Sequence, residues 1–139
     1  MIQMFSGIDS TSSALEAERV RMQVISQNIA NADSATGPDG KPYQRRDVLF
    51  ETILRQNQQG ENVPMVEVGQ IRADPRPPRL IFNPDSAQAD AEGMVAVPDI
   101  NIHEEMADLI SSSRAFEANL AVVKNARSMA LQTLAIGKH

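Results

Sequence analysis

Near the start of the chain, apolar side chains recur every seventh residue, at Ile8, Leu15, Met22 and Ile29. Ile25 adds a second line, three after Met22 and four before Ile29, although Thr11 and Glu18 hold its earlier positions. Such spacing gathers apolar groups on one face of a helix. Ser13 and Glu16 have the spacing of a capping box, so the helix is expected to begin there, or earlier near Phe5. Asn31, Asp33 and Gly37-Pro38 are expected to end it.

The other end of the chain repeats the pattern more cleanly. Ile102, Leu109, Phe116, Val123 and Ala130 form one line, and Met106, Ser113, Leu120, Arg127 and Leu134 a second. Asn101 and Glu104 make a capping-box pattern at its start, and Gly137 suits a C′ position at its end. A helix over 102–136 is about 50 Å long at ~1.5 Å per residue. A compact globule of this size has a radius of gyration of only ~14 Å. The two stripes are therefore expected to pack on each other, as a coiled-coil-like pair of long N- and C-terminal helices. Val20, Val24, Ile110 and Val122 lie off the main lines. Long helices with surplus apolar surface point to contacts with other chains.

Between the helices the pattern changes. All eight prolines fall between Pro38 and Pro98, and residues 1–33 and 99–139 contain none. Proline lacks a backbone donor and clashes inside a helix. The chain thus divides into a helical segment 1–33, an extended or β middle 34–98 and a helical segment 99–139. Short apolar runs in the middle read as strands: Val48-Leu49-Phe50 with Ile53-Leu54, Met65 to Val68 with Ile71, Leu80 to Phe82, and Met94 to Val97. The first of these could also be a short helix. Together they are expected to form a small sheet or hairpin unit. Pro38 to Lys41 and Asn83-Pro84-Asp85 read as turns. Asp74-Pro75-Arg76-Pro77-Pro78 is extended. The polar run 55–62 reads as a mobile loop. The fold class is therefore mainly α with a small β or irregular middle.

Composition narrows the function. The 139 residues carry a net charge of −5, which argues against a general nucleic-acid binder. No apolar run approaches the roughly 18 residues of a membrane span. The first residues lack the basic-then-apolar order of a cleavable secretory signal. There is no Cys, so disulfides and thiolate metal sites are excluded.

Chemistry is sparse. His103-Glu104-Glu105-Met106-Ala107 begins like the zinc motif H-E-x-x-H, but Ala107 stands where the second imidazole is needed. His103 is expected to be exposed in a first helical turn. Asp85, Asp90, Glu92 and Gly93 fail the oxygen positions of a calcium loop and read as a solvated acidic loop. Ser10 to Ser13 and Ser111 to Ser113 lack a nucleophile elbow. Arg45-Arg46, Arg72, Arg76 and Arg79 are expected to form salt bridges with a partner rather than bind phosphate. No catalytic residue, metal site or cofactor emerges, so a structural, non-enzymatic role leads. A coiled-coil adaptor or secretion chaperone is the alternative. A small hydrolase using Asp85, Asp90 or Glu92 would need convergent carboxylates in a pocket.

Several blocks carry a resemblance. Ser26-Gln27-Asn28-Ile29-Ala30-Asn31-Ala32-Asp33, with Ala14 to Met22 before it and Pro42 to Val48 after it, resembles the N-terminal signature of flagellar basal-body rod and hook proteins. Asp90 to Pro98, Ile102 to Ile110, Ser113 to Asn119 and Ser128 to Leu131 are similar to the run into and along that family's last helix. The likeness covers about 1–50 and 78–139 and is closest to the short proximal rod subunits. Ser34, Phe116 and His103 depart from the family's usual residues.

The resemblance implies a structural subunit of the bacterial flagellar basal-body rod, a helical tube that carries torque from motor to hook. It implies export through the flagellar export apparatus without a cleaved signal, and assembly on the periplasmic side. A chain without Cys suits passage into an oxidising compartment. Implied partners are copies of itself, other rod proteins, and the motor (MS) ring and rod-adaptor protein at the base, with no nucleic acid and no direct membrane span. Expected subunit contacts are Leu15, Met22, Ile25 and Ile29 on the first stripe, and Met106, Leu109, Phe116, Leu120, Val123 and Leu134 on the second. Asn28 and Asn31 are expected either to cap their helix or to bond a neighbouring subunit. The isolated protein is expected to be incompletely ordered at its ends.

Overall fold

A computed structural model describes residues 2–37, 39–57 and 60–137, with side chains from Ser6 onward. The proline-free start forms one helix, α1 (Ile2–Ala30). It runs through Ser13 rather than beginning there. Ser13 lies well inside the helix, where its hydroxyl donates to the Ser10 carbonyl at 2.7 Å and accepts the Val66 amide at 3.0 Å. Glu16 pairs with Arg19 at 2.9 Å instead of reaching back to a cap. The helix closes through Asn31, whose side-chain amide donates to the Gln27 carbonyl at 2.8 Å.

The middle forms two hairpins. β1 (Arg46–Gln56) and β2 (Asn62–Ala73) pair antiparallel along their whole length. The register shifts between Leu49 and Phe50, which leaves Gly69 unpaired opposite them as a bulge. The loop expected over 55–62 is shorter. Arg55, Gln56 and Asn62 belong to the strands, and residues 58 and 59 lie outside the described residues. Ladder hydrogen bonds outweigh the polar composition here. β3 (Arg79–Phe82) pairs antiparallel with β4 (Met94–Val97). The strands thus form two separate two-stranded sheets.

α2 (Ile102–Ile136) follows the expected span. Asn101 is its N-cap, accepting the His103 amide at 3.0 Å. Gly137 ends the helix with φ −74, so it keeps right-handed geometry and does not take the left-handed C′ conformation.

α1 packs against α2 on one side and against β1 and β2 on another. Asn28, near the end of α1, bonds Glu105 in the first turn of α2, so the packed helices run antiparallel. Ala17, Val24, Ile25, Ala32, Val48 and Val63 are buried around this unit, and Val95, Val97 and Ile100 are buried farther along the chain. On α2 Glu105 and Ser112 are buried, and Leu109, Ser113, Ala115, Phe116, Asn119, Leu120, Val123, Ala126 and Ala130 are half-buried. The first expected line, from Leu109 to Ala130, is therefore the inward one, although Ile102 at its head is exposed. Of the second line, Ser113 and Leu120 are half-buried, and the positions one residue earlier, Glu105, Ser112, Asn119 and Ala126, are buried or half-buried beside them. Small and hydrogen-bonding side chains face inward there. The larger Met106 and Leu134 are 50% and 55% exposed, and Arg127 is exposed too.

Candidate functional site: a buried junction and uncovered helix faces

Three segments meet where α1 ends, β1 begins and α2 begins. Asn28 sits at their centre with no exposed surface. Its Oδ1 accepts the Tyr43 hydroxyl and the Arg46 amide, each at 2.9 Å. Its Nδ2 donates to the Arg46 carbonyl at 2.8 Å and to Glu105 Oε2 at 2.9 Å. The other Glu105 oxygen accepts from Arg45 Nε. A carboxylate only 1% exposed requires such partners, because burying an unpaired charge is costly. Arg45 extends the network to Asp74 at 3.5 Å and Asp108 at 3.9 Å. Asp74 also bonds Arg76 at 2.9 Å, and Arg76 reaches Asp99 at 3.8 Å.

Electrostatics follow from these contacts. The Arg76 hydrogen bond holds the Asp74 carboxyl below its ordinary range. Burial pushes the Tyr43 phenol up. Burial opposes the charge on Arg45, but the Glu105 bond and the charges of Glu105, Asp47 and Asp74 together outweigh it and keep the guanidinium more firmly protonated. The network therefore fixes how the two helices and the first hairpin meet. It presents no activated nucleophile.

The chain's own salt bridges use three of the basic residues that were expected to find a partner, Arg45, Arg72 and Arg76. Arg45 and Arg76 pair as above, and Arg72 reaches Asp47 at 3.7 Å. Arg46 lies 5.9 Å from the Tyr43 ring, and Arg21 lies 3.7 Å from the Phe50 ring. Except for Asp74 beside Arg76, the counter-charges come from acidic residues more than twenty positions away, brought close when the chain folds back.

Asp85, Asp90 and Glu92 are exposed. Asp90 accepts the Glu92 and Met94 amides, each at 2.9 Å, so it builds the turn. His103 is exposed in the first turn of α2. Among the described residues, no group of three or more His, Asp or Glu is placed to hold a metal ion. No described helix is long and apolar enough to cross a membrane.

Of the residues expected at subunit contacts, Ile25 and Asn28 are buried within the chain. Asn28 spends all four hydrogen-bonding positions on the chain's own residues, and Asn31 serves its own helix end. Leu15, Met22, Ile29, Leu109, Phe116, Leu120 and Val123 are half-buried, and Met106 and Leu134 are exposed. α2 leaves further apolar side chains in solvent: Ile110 at 54%, Val122 at 53%, Met129 at 60% and Leu131 at 59%. Sequence reasoning missed Glu105, Arg45 and Tyr43. The available signal was a carboxylate in the same heptad line as Ser112, Asn119 and Ala126.

The family described as "Flagella basal body rod protein" matches residues 8–38, and "Flagellar basal body rod FlgEFG protein C-terminal" matches residues 91–136. The flagellar basal-body rod protein FlgC of Yersinia enterocolitica is 42% identical, with 94% of this chain and 95% of the relative covered. FlgC of Salmonella typhimurium is 38% identical over the same shares. FlgC of Bacillus subtilis is 35% identical, covering 96% of this chain and 98% of the relative. Both matched segments hold the helices that meet at Asn28 and Glu105. The chain belongs to the flagellar basal-body rod proteins of the FlgC type, structural subunits of the rod.

Proposed function

We propose that this subunit joins copies of itself and other rod proteins by packing its terminal helices against theirs, and so transmits torque from motor to hook. The observation that carries the proposal is the apolar surface of α2 that the chain leaves uncovered, from Met106 and Ile110 to Met129 and Leu134. A soluble monomer gains nothing from such a face, whereas an assembled one buries it. Within the subunit, α1 and α2 pack in coiled-coil fashion, the inward positions of α2 alternating by three and four. Leu15, Met22, Ile29, Leu120 and Val123 border that seam, half-buried, and complete their burial against neighbours.

The role is mechanical and involves no catalysis. Assembly takes place on the periplasmic side of the basal body after export without a cleaved signal. The base of the rod meets the motor ring and the rod-adaptor protein. The test is a pair of surface variants, Met106→Asp and Leu134→Asp, in otherwise normal cells. Each is expected to be made and exported at normal levels, to retain its fold, and to abolish swimming. Normal swimming by both would refute the role of this face.

A further inference from the structure

We infer that the exposed face of β3 seats the distal half of α2 from a second copy of this chain. This rests on the reading that copies assemble. β3 pairs with β4 alone, and among the described elements none other packs on it. All four of its residues are exposed, with Leu80 at 59%, Ile81 at 39% and Phe82 at 71%. An open, apolar edge strand is an unsatisfied surface on both its faces and its backbone.

Charge selects the occupant. No Lys or Arg occurs between Arg79 and Arg114, and the loop joining β3 to β4 exposes Asp85, Asp90 and Glu92. The distal half of α2 has the opposite character. No Asp or Glu follows Glu117, while Lys124 and Arg127 are present. Leu131 and Leu134 lie on the same side of the helix as this pair and are exposed. One surface is apolar and acidic, and the other apolar and basic. A symmetric contact between two β3 faces would set acid against acid, which complementarity disfavours.

Geometry makes the contact intermolecular. Only residues 98–101 separate β4 from α2, so the hairpin lies near the start of that helix. At ~1.5 Å per residue, Val122 is about 30 Å along a straight helix from Ile102. A chain cannot bend its own helix back that far, but a second copy can present the same segment. Two different patches meeting in this way make a head-to-tail contact, which propagates.

The chain has no cysteine, so engineered thiols report cleanly. Phe82→Cys and Leu134→Cys are introduced together in motile host cells, and also as singles expressed side by side. Basal bodies are isolated and oxidised. The double variant is expected to give a ladder of linked copies and the mixed singles a dimer, while either single alone stays monomeric. Lys124→Glu with Arg127→Glu lowers the linked fraction on the order of tenfold, and adding Asp85→Lys with Glu92→Lys restores it. Basal bodies that contain the chain but yield no linked copies overturn the contact, as does linkage indifferent to the charge reversals or formed by one single variant alone. Failure of the rod role itself reads differently: the chain would be missing from isolated basal bodies.

Discussion

Asn28 has four hydrogen-bonding positions, and the fold fills each. Replacing it by Ala strands the Arg46 amide and carbonyl and removes a partner from buried Glu105. Urea unfolding of Asn28→Ala is expected to show a loss of about 2–3 kcal/mol. Arg45→Ala removes the guanidinium from a carboxylate that stays buried, at a cost of about 3 kcal/mol. Glu105→Gln removes the charge together with its need for pairing, so its loss should be the smaller of the two. Asp74 sets a pH dependence. Its folded pKa lies below the ordinary value, so its contribution is complete above about pH 4 and lost as pH falls through the lowered value. Stability is expected to drop in that acid range, and Asp74→Asn should flatten the drop. Asn28 was legible as a hydrogen-bonding residue, but its partners within the chain were not. Arg45 read as a partner-seeking cation, because the sequence alone does not show that Glu105 and Asp74 close around it.

Element boundaries were far more readable. Two proline-free ends give two long helices, and the prolines confine everything else to the middle. The strands were placed correctly but made too short, since polar residues such as Arg55 and Gln56 extend β1 on backbone bonds alone. The inward face of α2 is broader than the two lines, with Glu105 and Ser112 buried beside them and Met106 and Leu134 exposed. Met106 and Leu134 look more like core than Glu105 and Ser112, and only the buried junction turns the helix the other way. The turns separate two kinds of glycine. Gly93 has φ 75, and a Cβ there would lie 2.9 Å from the Phe82 ring. Gly93→Ala is expected to destabilise by about 1–2 kcal/mol, read as a lower thermal midpoint. At the bulge, an added Cβ on Gly69 would overlap Cδ and Cγ of Glu51, so the exposed Glu51 side chain must take another rotamer. Gly69→Ala, at a position without positive φ, should lower the midpoint less than Gly93→Ala.

At the scale of the whole molecule, the two helices account for 29 and 35 residues of the chain, yet much of the apolar surface of α2 faces water. Helices held on one side only fray where nothing covers them. Circular dichroism of the dilute chain is expected to show less helix than these lengths require, rising as copies assemble. Full helix content in the dilute monomer would contradict that. The general role was legible from the ends of the chain, because stripes and signature blocks are local in sequence. The junction was not, because it is made of residues far apart. That distance has a consequence in time. Asn28 and Glu105 are separated by 77 positions, so α1 leaves the ribosome long before its anchor exists. A chain cut short between Val97 and Glu105 carries the whole first helix and both hairpins but lacks the carboxylate that ties them together. The buried hydrogen bond thus acts as a length gauge: only a polypeptide that extends past Glu105 acquires the shape of a subunit.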